Sequence, residues 1–282
     1  MSAPDTLERL RGHLVELKFA AALEILEETI EQLERDEISA VEALDRLLEQ
    51  EHGSRETRRV KAQLRTSRLI QHKTLDSFDF AFQPTLDRQR VMALAELSFI
   101  ERHQTVHLLG PPGVGKTHLA TALGIVAVKA GKTAYFTTLA DLIASLTKAE
   151  REGSLANRLR YLNRATLMII DEVGYLPIDK NGANLFFQLV NARYEKGATI
   201  FTSNRGFKEW GEVFGDNVIA AALLDRLLHR ATVLEIAGNS YRLREHADLV
   251  PDSLKRGGND PAPVKRGPGR PRKNPLPAAT SA

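Results

Sequence analysis

A run of eight residues, Gly-Pro-Pro-Gly-Val-Gly-Lys-Thr at positions 110–117, limits what this chain can fold into more than any other feature. It has the form GxxxxGK[ST], follows a strand-like run at 106–109 and precedes a segment of helical periodicity, the strand–loop–helix context that this motif requires. The glycines let the backbone approach a phosphate closely, and the helix N-terminus behind them adds about half a positive charge. The run therefore predicts a phosphate-binding loop in an α/β domain.

The side chains that follow this loop predict how a nucleoside triphosphate is held. Lys116 is expected to reach the β and γ phosphates, and Thr117 to offer its hydroxyl to Mg²⁺. The apolar residues 167–170 predict a buried strand that ends in Asp171 and Glu172. The predicted nucleotide contacts are Gly110, Pro111, Pro112, Gly113, Val114, Gly115, Lys116, Thr117 and Asp171.

The two acids lie where ligands bind in open parallel sheets, beyond the carboxyl ends of the strands. Asp171 is placed to hold Mg²⁺ through water, and Glu172 is placed to polarise the attacking water. An acid pair at a strand end is often a solvated turn. The phosphate-binding loop about 54 residues upstream favours the functional interpretation.

Five short runs rich in β-branched residues alternate with segments of helical periodicity, at 105–109, 133–137, 166–170, 198–202 and 231–236. Such alternation indicates crossover connections and a mostly parallel sheet. We predict an α/β fold with a five-stranded open sheet covered on both faces, within residues 76–250.

Residues 1–75 have helical periodicity and predict a small helical domain. Ser39 is expected to cap a second helix, which Gly53 and Ser54 break, and a third, basic helix is expected from about 55 to 70.

Composition excludes several classes of protein. The chain has 282 residues, of which 43% are hydrophobic, enough for a core, and it has no cysteine. Disulfide frameworks, cysteine-ligated zinc and cysteine catalysis are therefore excluded. We find no secretory signal pattern and no stretch of about 18 uncharged apolar residues, so we expect a cytoplasmic protein without a membrane partner.

Two further side chains are candidates for the ATPase chemistry. Asn204 follows the strand at 198–202, where its amide could reach the γ-phosphate or the water, or could simply form the turn before Gly206. Arg226 lies between leucines, either on a solvated helix face or as an arginine finger that reaches the nucleotide of a neighbouring subunit.

These residues together resemble the AAA+ ATPases, and longer runs resemble the IstB-type transposition helper ATPases, relatives of the helicase loader DnaC and the initiator DnaA. The runs are GPPGVGKTHLA, IIDEVGYLPIDKNGANLFFQLVNARYE, TSNRGFKEWGEVFGD and ALLDRLLHR, and the likeness covers roughly residues 10–245. The resemblance implies ATP and Mg²⁺ as cofactors, ATP hydrolysis, and homo-oligomers that depend on ATP and DNA. It also implies two partners: duplex DNA, which the protein would remodel or select as the target, and a cognate transposase, which it would activate.

The resemblance also implies roles for single residues. Glu172 and Asn204 would be catalytic, Asn204 as sensor 1. Arg226 is the best finger candidate, and Arg205 and Arg230 are weaker ones. Only about 14 residues separate the last predicted strand from Pro251, so a full C-terminal lid does not fit. Arg242 then either replaces the usual lid arginine or is structural.

Three basic segments are candidates for DNA contact. Lys148, Arg151 and Arg158 lie in a segment, 141–164, that faces the central channel in initiator-type relatives, although a solvated helix face is the alternative. The second segment is a stripe on the predicted third helix, which contacts phosphates without reading sequence. Its members are Arg58, Lys61, Arg65 and Arg68.

The third segment, 251–282, holds seven of the twelve prolines and a net charge of +5, against +3 for the whole chain. We expect it to be disordered alone. Its Gly269-Arg270-Pro271 core resembles an AT-hook, in which Arg270 enters a narrow A·T minor groove. A generic basic tail is an equal alternative.

Two other functions compete with the transposition helper. A DnaC-like replicative helicase loader would use the same ATPase on another client. A nucleotide-binding scaffold without turnover would not need Glu172 and Asn204, which are both present.

Overall fold

A single sheet organises the chain in the computed structural model, which describes residues 3–70 and 72–244. The predicted tail at 251–282, including Arg270, lies outside these residues. Five strands form the sheet in the order β2-β3-β4-β1-β5, and every neighbouring pair is parallel. The predicted five-stranded, mostly parallel α/β sheet is confirmed. The strands are β1 (Thr105–Leu109), β2 (Ala134–Thr138), β3 (Leu167–Val173), β4 (Ala198–Ser203) and β5 (Ala231–Glu235).

Helices precede the sheet and cover both of its faces. Before β1 lie α1 (Ala3–Glu16), α2 (Ala20–Glu34), α3 (Ala40–Thr66), α4 (Arg88–Ala95) and α5 (Ser98–Glu101). Between the strands lie α6 (Lys116–Lys129), α7 (Leu139–Arg151), α8 (Leu155–Leu162) and α9 (Lys180–Arg193). After β4 come a 3-10 turn (Phe207–Glu209), α10 (Trp210–Phe214) and α11 (Asn217–Leu228).

Alternation along the strands gives the sheet two apolar faces. In β3, Leu167 and Ile169 pack with α4, α5 and α6, whereas Met168 and Ile170 pack with α7, α9 and α11. Successive side chains of a strand point to opposite faces, so a strand covered on both sides is apolar throughout. This burial holds the carboxyl ends of β1, β3 and β4 at one edge of the sheet.

The first three helices share a small apolar cluster of their own, formed by Leu14, Ala22, Leu26 and Leu47. The predicted cap at Ser39 is confirmed, because its hydroxyl accepts from the Glu42 amide and the Glu42 carboxylate accepts from the Ser39 amide. The far end of α3 packs on the sheet domain through Val60 and Leu64.

The predicted break at Gly53 and Ser54 is wrong, because α3 runs without interruption from Ala40 to Thr66. A glycine inside a helix costs only about 1 kcal/mol relative to alanine. Contacts of Glu51, two residues before Gly53, offset that cost: its buried carboxylate accepts from the Ala21 amide in α2 at 2.8 Å and from Arg55 Nε, one turn further along α3, at 2.7 Å.

After β5, the described chain up to residue 244 returns to the phosphate-binding loop. The Tyr241 amide donates to the Gly113 carbonyl oxygen at 3.0 Å, and residues 241–244 form one 3-10 turn. The prediction that no full lid follows β5 also concerns residues after 244, which lie outside the described part of the chain. Within the two described ranges, no helix is both long and apolar enough to cross a membrane.

Candidate nucleotide-binding site

The phosphate-binding loop leaves β1 at Leu109 and enters α6 at Lys116. Gly113 has a φ of +85°, and a Cβ added there would lie 2.0 Å from Ser240 Oγ. Only glycine satisfies both the backbone conformation and the close approach of the segment after β5. The Gly110 amide donates to the Ser203 carbonyl oxygen at 3.2 Å, which ties the loop to the end of β4.

The Lys116 side chain is held by backbone carbonyl groups of the phosphate-binding loop. Its Nζ donates to the carbonyl oxygens of Gly110 and Pro111, each at 2.7 Å. Burial lowers the pKa of Lys116 to about 8, although the nearby Asp171 carboxylate opposes that shift. A bound phosphate would supply the negative charge that this partly desolvated ammonium lacks.

Thr117 and Asp171, the two residues predicted to hold Mg²⁺, lie in direct contact. Thr117 Oγ1 donates to Asp171 Oδ1 at 2.9 Å, and the hydroxyl of Thr202 donates to the same oxygen. No cluster of three or more His, Cys, Asp or Glu side chains suited to a metal occurs in the described ranges. Mg²⁺ commonly takes one or two protein oxygens and completes its shell with phosphates and water, so these residues fit it.

Glu172 has a strained backbone beside this pair. Its φ is +62°, a left-handed conformation that costs a non-glycine residue about 1–3 kcal/mol. The Glu172 amide donates to Thr202 Oγ1 at 3.0 Å, so Thr202 holds both acids through one hydroxyl. The side chain of Glu172 is exposed at the edge where the loop lies. Backbone strain of this kind often marks a functional site.

Asn204 follows β4 at the same edge, and its side chain does not close the turn there. The Ser203 hydroxyl accepts from the Arg205 amide at 3.0 Å and closes it instead. Asn204 Oδ1 is buried and has no hydrogen-bond partner in the described part of the chain. The interpretation of Asn204 as a turn former therefore lacks its hydrogen bond.

Sequence reasoning missed the outer wall of the site. Lys73, Phe78 and His118 line one cavity with the phosphate-binding loop and Arg242. Burial lowers the pKa of Lys73, and Asp171 opposes that shift. No motif marked Lys73, because it lies in the segment before β1 that periodicity assigned to the helical zone. Arg242, flagged as a lid substitute or a structural residue, reaches this cavity.

Arg226 lies at the opposite edge of the sheet from the loop of its own chain. Its guanidinium stacks over the ring of Tyr194, which precedes β4. The carbonyl oxygen of Leu227, the residue after Arg226, accepts from the hydroxyl of Thr105 at the start of β1. The length of β1, roughly 13 Å, separates the two edges. Arg230 lines the same cavity as Arg226, whereas Arg205 is at the loop edge and pairs with Glu209 at 2.6 Å.

The candidate DNA-binding residues fall into two groups. Arg58, Lys61 and Arg65 are exposed along α3, but Arg68 is not on that helix face. The helix ends at Thr66, Arg68 has a φ of +61°, and its guanidinium lies over the Tyr135 ring. The predicted four-residue stripe is therefore a stripe of three.

In the second basic segment, Lys148 and Arg151 are exposed on α7. Arg158 is half-buried, because its guanidinium donates to the Tyr135 hydroxyl at 3.4 Å and to Ser145 Oγ at 3.3 Å. Lys148 pairs with Glu152 at 3.8 Å on the surface, so of the three residues Arg158 is the one held within the protein.

A phosphate-binding loop, an acid pair and a strand-terminal asparagine at one edge of a five-stranded parallel sheet define a P-loop ATP-binding protein of the AAA+ class. The family model for IstB-like ATP binding proteins matches residues 12–248, and the chain belongs to that family.

Relatives and one solved structure agree with this assignment. The chain is 51% identical over 220 residues to an ATP-binding protein of insertion sequence IS21 from Pseudomonas aeruginosa, covering 78% of this chain and 83% of the relative. It is 47% identical to the corresponding protein of IS5376 from Geobacillus stearothermophilus, covering 74% and 83%. The crystal structure of DnaI aligns with a TM-score of 0.50 at 22% identity, covering 58% of this chain and 90% of DnaI, and shows the fold alone.

Proposed function

We propose that this chain is an ATP-hydrolysing transposition helper that assembles on duplex DNA and activates a partner transposase. The observation that carries the proposal is the Thr117–Asp171 pair beside Glu172, with Arg226 at the opposite sheet edge. In such an arrangement, one edge of the sheet carries a nucleotide site, and the opposite edge carries a cation that could complete the nucleotide site of a second copy. The insertion-sequence origin of the relatives supports transposition as the process that the helper serves.

Hydrolysis would use residues that three strands bring to one edge. Lys116 would neutralise the β and γ phosphates, and Thr117 and Asp171 would hold Mg²⁺, which supplies charge neutralisation when bound. Glu172 would polarise the attacking water, since its carboxylate is exposed at that edge. Asn204 would orient the water or the γ-phosphate.

Assembly into a homo-oligomer follows from the position of Arg226. The guanidinium cannot reach the loop of its own chain across the sheet, so it would act on the nucleotide of a second copy. Nucleotide would then stabilise the contact between copies, because the phosphates attract the finger from the neighbouring chain.

DNA would be held by exposed basic side chains that contact phosphates. On α3 these are Arg58, Lys61 and Arg65, and on α7 they are Lys148 and Arg151. We propose the tail around Arg270 as a further contact. Phosphate contacts of this kind position a protein on DNA without reading its sequence.

The helical zone at 1–75 is proposed to bind the partner, as a domain distinct from the ATPase domain at 76–250. Val41, Leu44 and Leu48 form an apolar stripe on α3 and are 78%, 59% and 47% exposed. The acidic residues Asp45 and Glu49 are exposed on the same helix. The stripe would therefore accept an apolar segment of the transposase that carries basic flanking residues.

The test measures ATP turnover by the full chain alone, with duplex DNA, and with duplex DNA and transposase. The proposal predicts that DNA and transposase each increase turnover, and that Lys116→Ala abolishes all three rates.

A parallel capture from host lysate compares the wild type with Leu44→Glu, a change outside the nucleotide site. Recovery of a transposase by the wild type alone supports the proposal, whereas recovery of a replicative helicase instead would support the helicase-loader alternative. No turnover with DNA and transposase present would leave a nucleotide-binding scaffold.

A further inference from the structure

The guanidinium of Arg226 is held by an aromatic ring and not by a carboxylate. Its Cζ lies 5.0 Å from the centroid of the Tyr194 ring. Among the residues that the structure describes, no carboxylate lies within ion-pair distance of Arg226. A ring face attracts the cation but leaves the in-plane N–H groups free to donate to another anion.

The ring that carries Arg226 is itself fixed on several sides. The Tyr194 amide donates to the Val190 carbonyl oxygen at 2.9 Å, and its hydroxyl lies 3.0 Å from His229 Nδ1. The preceding residue, Arg193, is buried and fixes the chain beneath the ring, because it donates to the carbonyl oxygens of Leu162, Ala165 and Ala198 at 3.0, 3.1 and 2.8 Å. The ring therefore has little freedom to move away from Arg226.

The helix that carries Arg226 is anchored at the same edge of the sheet. The Thr105 hydroxyl donates to the Leu227 carbonyl oxygen at 2.5 Å, and the Thr105 amide donates to the Arg230 carbonyl oxygen at 3.1 Å. Both partners of the stacked pair are thus tied to the sheet. Tyr194 is held through Arg193, which contacts the start of β4, and Arg226 is held through the neighbouring residues that contact β1.

We propose that Tyr194 is the positioning residue for Arg226: its ring orients the guanidinium before a second copy presents its nucleotide, and so spares the assembly the entropy of ordering a free arginine. This inference rests on the proposed function, in which Arg226 acts on the ATP of a neighbouring copy. A preorganised cation contributes more to the transition state than one that must be ordered during the reaction.

The test compares Tyr194→Leu, which removes the ring face, with Tyr194→Phe, which keeps it and removes only the hydroxyl. Tyr194→Leu should lower kcat about two- to thirtyfold, the range expected when a cation–π interaction is removed. The ATP KM should stay within about twofold, because Tyr194 lies away from the nucleotide site of its own chain. Tyr194→Phe should restore most of the lost rate. Tyr194→Met, whose unbranched side chain adapts better to the space left by the ring, replaces Tyr194→Leu if that variant does not fold.

Two further readouts separate positioning from a general structural effect. The double variant Tyr194→Leu/Arg226→Ala should be no slower than Arg226→Ala alone, since both changes remove the same contribution. Mixing Tyr194→Leu with Lys116→Ala should restore activity, because intact Arg226 and Tyr194 of one chain then face an intact loop of the other.

Three results would overturn the inference. The first is wild-type turnover by Tyr194→Leu while Arg226→Ala is slow, which refutes the positioning role and leaves the finger intact. The second is a double variant clearly slower than Arg226→Ala, which gives Tyr194 a separate role. The third is wild-type turnover by Arg226→Ala itself, which removes the finger assignment and this inference together.

Discussion

Thr117 Oγ1 lies 2.9 Å from Asp171 Oδ1, although the two residues are 54 positions apart in the chain. The contact joins the start of α6 to the end of β3 and sets two oxygens side by side, as a Mg²⁺ site at a phosphate-binding loop needs. It also couples the loop to the acid pair, because Asp171 and Glu172 are adjacent.

Asp171→Asn should therefore remove the effect of Mg²⁺ on ATP binding while leaving the protein folded. The amide is nearly isosteric but carries no charge for the cation. Titrating ATP with and without Mg²⁺ should show a Mg²⁺-dependent gain in affinity for the wild type and almost none for the variant. Thr202→Val removes the hydrogen bonds that Thr202 makes with Asp171 and with the Glu172 amide but leaves both carboxylates in place, so it should lower the Mg²⁺ affinity by about 10–100-fold at most. An unchanged Mg²⁺ response in Asp171→Asn would exclude Asp171 as the metal-holding residue.

ATP binding should weaken above pH 8. Burial lowers the pKa of Lys116 to about 8 in the nucleotide-free protein, so the free loop loses its cation as the pH rises through that value. Phosphate requires the protonated form, and the dissociation constant should rise by up to about tenfold per pH unit between pH 8 and 10.

Lys116→Arg provides the control for this pH dependence, because a guanidinium stays protonated over the whole range. The measurement should be repeated with Lys73→Met, since burial also lowers the pKa of Lys73 in the same cavity. A flat profile for the wild type, or the same slope in Lys116→Arg, would show that Lys116 does not set the pH dependence.

Gly53→Ala should stabilise the protein by about 0.5–1 kcal/mol, because α3 is continuous there. A Cβ at Gly53 meets nothing within 4 Å, whereas a Cβ at Gly124 in α6 would lie 2.7 Å from Ile169 Cδ1. Urea unfolding should give a higher midpoint for Gly53→Ala and a lower one for Gly124→Ala. A lower midpoint for Gly53→Ala would indicate that the helix does break at this position, as sequence alone suggested.

The basic stripe on α3 should contribute to DNA affinity mainly at low salt. Changing Arg58, Lys61 and Arg65 to glutamine should reduce the slope of log affinity against log salt by about 0.9 for each DNA phosphate that the variant no longer neutralises. Arg68→Gln is the matched control, because Arg68 lies beyond the helix over the Tyr135 ring. An equal reduction in the triple variant and in the control would count against the stripe.

Local sequence patterns were sufficient to predict the sheet and the loop. The run at 105–109 became β1 with the same bounds, since β-branched and apolar residues between two helical segments leave few alternatives. The acid pair was predictable because it follows an apolar strand at the edge that binds ligands.

Contacts between distant segments were not predictable in the same way. Thr202 contacts both acids only because β4 lies beside β3, and strand order cannot be derived from periodicity. Lys73 reaches the loop through a segment without regular structure. The continuity of α3 through Gly53 depends on the buried Glu51 and its partners in α2 and α3, which helix propensity does not record.

The most direct test of the account compares ATP turnover and ATP affinity of Glu172→Gln with those of the wild type, with duplex DNA present. The variant keeps the shape of the side chain and loses only the carboxylate that would polarise water. We predict an ATP dissociation constant within about twofold of the wild type, and a kcat lower by about 10²–10⁴-fold, the usual contribution of a general base. Equal turnover by the variant and the wild type would contradict the account.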